Sequence, residues 1–382
     1  MSFTQIEDGN LKIGFKHRKK MKAFITGHEE LIHDVKYDFY GTHIASCSSD
    51  QHIKVFELDA STRTWVLNDS WKAHDSSIVK LSWAHPELSS SKILASCSYD
   101  RTVKIWQEQV EELHGSGRRW IKLATLAIES FGPIYDVTFA PSHLGLKLGC
   151  IGSDGIVRIY ESLDPSDQSN WSLSAEVPVL SQTVPTKSLQ STFALEWCPS
   201  KFAKSEKFVV LALDQGFIYA STTNSRSNES GSGSEYGSRV EKDKGSLNAS
   251  IRYQKLCNLP EHNGLIRTVS WAPSMGRDYH YIATGCKDGY VRIFKITENS
   301  SGELEIETAA KLNDHKSEVW KVTWNSTGTI LSSAGSDGKI RLWKCNYLNE
   351  WKCMSVIDSG NKTNKGLRDE IEEGVNNSSR AT

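Results

Sequence analysis

The chain has 382 residues, with 45 Lys and Arg against 46 Asp and Glu, a formal net charge of −1 and 38% hydrophobic residues. That balance carries no electrostatic footprint for nucleic acid, and no apolar run approaches the roughly 18 residues that a membrane span requires. The opening MSFTQIEDGN lacks a signal-peptide pattern, and the eight Cys show no Cys-x-x-Cys spacing, so reduced thiols and unmodified Asn-x-Ser/Thr triplets such as Asn170-Ser172 are expected.

In chain order, residues 1–21 are polar and end in the basic cluster His17–Lys20. The cluster is short and has no interleaved aromatics, so it reads as a solvated lead-in. MKAFIT follows, then Gly27-His28, and from there one phrase repeats six times. Its clearest copy is Ala73–Trp106, AHDSSIVKLSWAHPELSSSKILASCSYDRTVKIW. A loop His opens it, an apolar run ends in an aromatic, a second run ends in Asp, and a third apolar run closes it. The aromatics are Tyr37, Trp83, Phe139, Trp197, Trp271 and Trp324, and the Asp are Asp50, Asp100, Asp154, Asp214, Asp288 and Asp337. The Asp spacings are 50, 54, 60, 74 and 49 residues, so the phrase is constant and the connections absorb the variation.

The runs are four to seven residues long, rich in Val, Ile, Thr and aromatics, and bounded by Gly, Asp, Ser or Pro, which predicts strands. Asp-Gly at 154–155, 288–289 and 337–338 signals tight hairpins, because Gly takes positive φ without steric cost. A fourth strand follows each phrase: WVLNDSW (65–71), WIKLATLAI (120–128), WSLSAEV (171–177), IRYQKLC (251–257), LEIETAAKL (304–312) and WKCMSVI (351–357). Four antiparallel strands repeated radially make a β-propeller. With its Gly-His opening and Asp-to-aromatic ending, the unit resembles the WD repeat over about residues 22–357, which implies an all-β, six-bladed WD-repeat β-propeller.

That resemblance implies a buried tetrad of loop His, strand Ser or Thr, turn Asp and strand Trp. His74, Ser96, Asp100 and Trp106 match it, as do His315, Ser333, Asp337 and Trp343. His28, Ser46, Asp50 and Phe56 match in part, as do His262, Thr284, Asp288 and Phe294; Phe has no indole N–H, so one bond is expected to be missing. The third unit has Cys150, Asp154 and Tyr160 without a His, and the fourth, with Val210, Asp214 and Ala220, is the most eroded.

Six blades need 24 strands, and 25 candidates are present. KAFIT stands where a WD ring receives its closing strand, yet WKCMSVI already completes the last blade. The expectation is a ring that is not closed in the usual way, with a surplus strand at Lys22, Ala23, Phe24, Ile25 and Thr26 as an edge for a partner's blade. The linker 107–119 reads as an exposed excursion, and 161–190, with Pro165, Pro178 and Pro185, as loop around one strand. The Ser, Gly and Asn content of 221–250 cannot bury enough apolar area to order it. The tail 358–382 is similarly polar, with at best a short helix around Leu367–Glu373.

The His and Asp recur with the repeat, as a fold-maintaining network would, and there is no nucleophile elbow, phosphate-binding Gly loop or His-Glu-x-x-His. No catalytic residue, cofactor or metal is expected. Lys54, Lys104, Arg158, Arg292 and Arg341 recur four residues after the Asp and read as solvent-facing strand positions.

Several stretches are unlike a generic repeat even in their loops: MKAFITGHEELIHDVKYDFYGTHIASCSSDQHIKVFEL, SWKAHDSSIVKLSWAHPE, FGPIYDVTFAPSHLGLKLGCIGSDGIVRIYE and SWAPSMGRDYHYIATGCKDGYVRIF. They are very similar to the Seh-type propeller nucleoporins. The resemblance implies a non-enzymatic scaffold in the Y-shaped subcomplex of the nuclear pore complex, at the nuclear envelope. It also implies an open six-bladed ring into which a helical-solenoid nucleoporin inserts a β-blade, beside other Y-complex nucleoporins. A second implied residence is a peripheral vacuole- or lysosome-associated coat-like complex upstream of nutrient-dependent TOR signalling. No direct nucleic-acid contact is implied. The rival readings are a ubiquitin-ligase substrate receptor and a phosphoinositide-binding propeller. The first is disfavoured by Trp106-Gln107 and Trp343-Lys344 where Trp-Asp-x-Arg is usual; the second lacks its Phe-Arg-Arg-Gly signature.

Overall fold

The computed structural model describes residues 24–127, 130–164, 168–180, 192–222, 252–299 and 303–358. The lead-in 1–21, the residues beyond Thr222 in the Ser-rich insertion, and the tail beyond Asp358 lie outside these.

Twenty-four strands among the described residues form six four-stranded antiparallel sheets, each built from consecutive strands. Blade one is β1 (Ile32–Tyr37), β2 (His43–Ser48), β3 (His52–Leu58) and β4 (Trp65–Lys72). Blade two is β5 (Ile78–Trp83), β6 (Ile93–Ser98), β7 (Val103–Glu108) and β8 (Trp120–Leu126). Blade three is β9 (Ile134–Phe139), β10 (Lys147–Gly152), β11 (Ile156–Glu161) and β12 (Ser172–Pro178). Blade four is β13 (Phe193–Trp197), β14 (Lys207–Ala212), β15 (Gln215–Thr222) and β16 (Arg252–Asn258). Blade five is β17 (Ile266–Trp271), β18 (Tyr279–Cys286), β19 (Val291–Glu298) and β20 (Leu304–Leu312). Blade six is β21 (Val319–Trp324), β22 (Ile330–Gly335), β23 (Lys339–Cys345) and β24 (Trp351–Asp358).

The first strand of each blade lines the central channel, and the turn after each repeat Asp joins the second strand to the third. That turn takes a left-handed residue in most copies. Gly155, Gly289 and Gly338 supply it at φ of +69°, +84° and +68°, whereas Gln51 and Arg101 adopt it in blades one and two despite their Cβ atoms. The second strands β2, β6, β10 and β14 are buried at every position. Apart from the opening His43, Lys147 and Lys207, they are apolar or small throughout instead of alternating, because a neighbour or a covering segment lies on both faces.

The count of 25 strands is corrected to 24. WKCMSVI lies within β24 and pairs with β23, while Phe24–Thr26 forms no strand; Lys22 and Ala23 lie outside the described residues. Phe24 instead sets its ring against Phe56 at 5.2 Å and Trp65 at 6.4 Å. The contact of this half-exposed ring with two others holds Phe24 on blade one, and Phe24–Thr26 pairs with no strand among the described residues.

Candidate functional site

Each boundary between consecutive blades from one to six is filled by its own buried cluster. The boundary of blades one and two holds Ala45, Cys47, Ile53, Val55 and Trp71 against Ile78, Leu81, Leu94, Trp106 and Trp120. Comparable clusters fill the next four boundaries. Among the described residues there is none between blades six and one.

The register identifies which side chains are left bare. Ser332, Ala334, Ile340 and Leu342 occupy in blade six the positions of Ala45, Cys47, Ile53 and Val55 in blade one. Ile53 is 0% exposed and Ile340 is 42% exposed, although both are the second residue of a third strand. In β22 burial alternates, with Leu331 and Ser333 buried on the side of blade five and their neighbours half-buried. Across the gap, blade one shows Val35, Tyr37 and Leu67, all exposed. Its remaining free face is covered by Phe24 and by His28, whose Nε2 lies 2.9 Å from Ser46 Oγ.

The described side chains bridge the two blades at one point in the channel. Lys321 Nζ donates to Asp34 Oδ1 at 3.0 Å, and Asp34 Oδ2 also accepts the Leu81 N–H of blade two. Burial alone would raise the Asp34 carboxyl, but Lys80, Lys321 and Lys36 around it hold it down at about 2. Asp136 makes the same interblade contact two blades further on, accepting the Leu195 N–H at 3.0 Å. Among the described residues, no group of three or more His, Cys, Asp or Glu is placed to hold a metal ion, and all eight Cys are free thiols.

The tetrad residues lie together within their blades. His74 Nδ1 is 2.8 Å from Asp100, its Nε2 is 2.8 Å from Ser96 Oγ, and Trp106 Nε1 donates to that hydroxyl at 2.9 Å. His315, Asp337, Ser333 and Trp343 repeat this at 2.9, 2.7 and 2.8 Å. In blade one, His28 reaches Asp50 at 2.7 Å and Ser46, and Phe56 brings no donor. Blade five departs further. His262 reaches Thr284 at 2.8 Å, but its Nδ1 has no partner, because Asp288 is taken by Arg292. Burial, with Arg292 nearby, pulls the His262 imidazole down to about 4.

The residues four after each Asp are not solvent-facing, which corrects the expectation drawn from strand alternation. Arg158, Arg292 and Arg341 are buried and pair with Asp154, Asp288 and Asp337 in their own blades. Lys54 and Lys104 donate to the carbonyls of Gly27 and Ala73. These cations belong to the tetrad network. Their recurrence at a fixed offset was the available signal, and it outweighs alternation because each stands within reach of a partner of its own repeat.

Six radially repeated four-stranded sheets with these His–Ser–Asp networks make the chain a WD-repeat propeller, and the family model for the WD domain, G-beta repeat, matches residues 19–57, 65–107, 253–295 and 307–344. Among curated proteins it is 49% identical over 376 residues to nucleoporin SEH1 of Saccharomyces cerevisiae, covering 88% of this chain and 99% of that protein. It is 36% identical to nucleoporin seh1 of Schizosaccharomyces pombe, covering 89% and 97% respectively. To human nucleoporin SEH1 it is 36% identical, covering 88% of each. The chain belongs to the SEH1 nucleoporin family.

Proposed function

We propose that the chain is a non-enzymatic scaffold subunit of the nuclear pore complex, supporting nucleocytoplasmic transport, and that a helical-solenoid nucleoporin completes its ring by laying a β-blade between blades six and one. The bare sixth boundary carries this reading. Ser332, Ala334, Ile340 and Leu342 form a face that is a core face in blade one and has nothing against it here. Solvent-exposed apolar sheet faces of this kind mark interaction sites. Because propeller blades meet face to face, side-chain burial would supply most of the affinity, and Phe24–Thr26 would contribute packing at the rim instead of strand pairing.

The names of the relatives support the pore as the location. A vacuole- or lysosome-associated coat-like complex in TOR signalling would draw on the same boundary; one gap takes one blade, so the two assemblies would hold separate copies of the chain. A generic adaptor, such as a ubiquitin-ligase receptor, would use loops at the channel mouth and leave the sixth boundary unused. The test is co-expression of the full chain with the helical-solenoid nucleoporins of the same organism, followed by size exclusion. Ile340→Asp is expected to abolish co-elution with an unchanged melting temperature. Co-elution that survives this substitution would refute the reading.

A further inference from the structure

The blades are stitched along the channel by a hydrogen bond that recurs in alternate boundaries. The aromatic ending a first strand donates its indole N–H to the carbonyl one residue before the equivalent aromatic of the preceding blade. Trp83 donates to Lys36 O at 3.0 Å, Trp197 to Thr138 O at 3.4 Å, and Trp324 to Ser270 O at 3.1 Å. In each case the residue opposite that carbonyl on the neighbouring strand is small: Ala45, Gly149 and Ala283. The reason is space. A Cβ built on Gly149 would stand 3.3 Å from Trp197 Cζ2 and 3.4 Å from its Nε1.

The exceptions follow the same rule. Blade four carries Val209 opposite Glu196, and there the Trp271 indole N–H of blade five is buried without a partner. Blade three ends its first strand in Phe139, which has no N–H to give. A stitch forms where an indole meets a small residue, and fails where either is missing.

Both halves of this device are present at the sixth boundary, with no blade across from them among the described residues. On blade six, Thr323 lies opposite Ser332, a small residue, and its carbonyl, already in the strand ladder, takes the Ser332 hydroxyl at 3.2 Å where the other boundaries take an indole; that hydroxyl also lies 3.1 Å from Thr323 Oγ1 and can turn to it. A carbonyl oxygen has two lone pairs, so an incoming indole would take the place of the Ser332 hydroxyl. On blade one, Tyr37 ends the first strand and is 61% exposed. Its ring meets Trp65 edge-on at 5.9 Å, as Trp83 meets Trp120 at 5.7 Å and Trp324 meets Trp351 at 5.6 Å. Those two pairs lie packed on the preceding blade. The Tyr37 hydroxyl has no partner among the described residues.

Resting on the blade-insertion reading above, we propose that the inserted blade is recognised at the channel by two aromatic hydrogen bonds. The partner places an indole or phenol over Ser332 and donates to the Thr323 carbonyl. The Tyr37 hydroxyl in turn donates to a carbonyl of the inserted strand. The occupant is thus a β-blade with a Trp or Tyr on its channel strand and, facing Tyr37, small residues such as the Ala45 and Gly149 that receive the other stitches.

The experiment is equilibrium binding of the full chain to the solenoid nucleoporin that co-elutes with it. Tyr37→Phe removes only the hydroxyl and is expected to weaken binding about three- to tenfold. Tyr37→Ala removes the ring and is expected to cost about 50-fold or more. Ser332→Val rebuilds the Val209 situation and is expected to weaken binding about tenfold or more. Both positions face the gap, so thermal midpoints of the three free variants should match the parent. Wild-type binding with Tyr37→Phe and Ser332→Val both within twofold of the parent overturns this proposal and leaves blade insertion standing. Absence of wild-type binding to any helical-solenoid nucleoporin removes both.

Discussion

The boundary between blades one and two and the boundary between blades six and one are built on faces of the same register. In the first, Ala45, Cys47, Ile53 and Val55 disappear beneath Leu81, Leu94, Trp106 and Trp120. In the second, Ser332, Ala334, Ile340 and Leu342 hold the same positions with no cluster against them. The sheets themselves do not differ, since both blades have four strands in the same order. The difference teaches that a propeller blade is complete as a sheet but incomplete as a core. Its hydrogen bonds close within the blade, whereas its apolar faces are buried only by neighbours.

The sharpest way to break the comparison is a matched pair of truncations. Ile53→Ala should destabilise the free chain by about 3 to 4 kcal/mol, the cost of a cavity in a packed core. Ile340→Ala, at the equivalent position, should cost less than about 1 kcal/mol, because solvent already reaches the side chain. Urea unfolding of the two variants measures the difference, and equal costs would mean that the sixth boundary is closed after all.

A middle-sized effect concerns His262, next to a boundary that is filled. Its folded pKa of about 4 lies below the 6.5 of an unperturbed imidazole, chiefly through burial. The neutral ring is favoured in the fold, so this contribution is present above about pH 6.5 and lost as pH falls through 4. From pH 7 to pH 5 the parent should lose about 2 kcal/mol more than His262→Gln, read from unfolding at the two values. Parallel losses would show that the ring is solvated.

The smallest effect sharpens the role of the tetrad in the blade beside the gap. Trp343→Phe removes the N–H that reaches Ser333 at 2.8 Å and should cost about 1 kcal/mol. Blades one and five already carry Phe56 and Phe294 there, so the substitution should leave the sheet intact. Thermal unfolding checks it; loss of the cooperative transition would contradict it.

Much of this architecture was legible because repetition turns weak local signals into strong ones. One Asp-Gly turn or one loop His decides little, while six copies in phase define six blades. The residues of both full tetrads could be named for the same reason. Alternation misled at Arg158, Arg292 and Arg341, since the face these residues share is a blade-to-blade contact on which each pairs with its own turn Asp. Position misled at Phe24–Thr26: KAFIT stands where a WD ring receives its closing strand, but Phe24–Thr26 forms no strand and Phe24 rests against Phe56 and Trp65.

By itself the sequence determined the number of blades and the strand order, because these depend on local periodicity and on turns a few residues long; the family came through likeness to known sequences. Only the tertiary structure decided which apolar residues lack a covering surface. Ile53 and Ile340 have near-identical neighbours in the chain, IKVF against IRLW, and nothing local separates them. Whether a face is buried depends on what stands opposite, and at the sixth boundary that is not supplied by the next repeat.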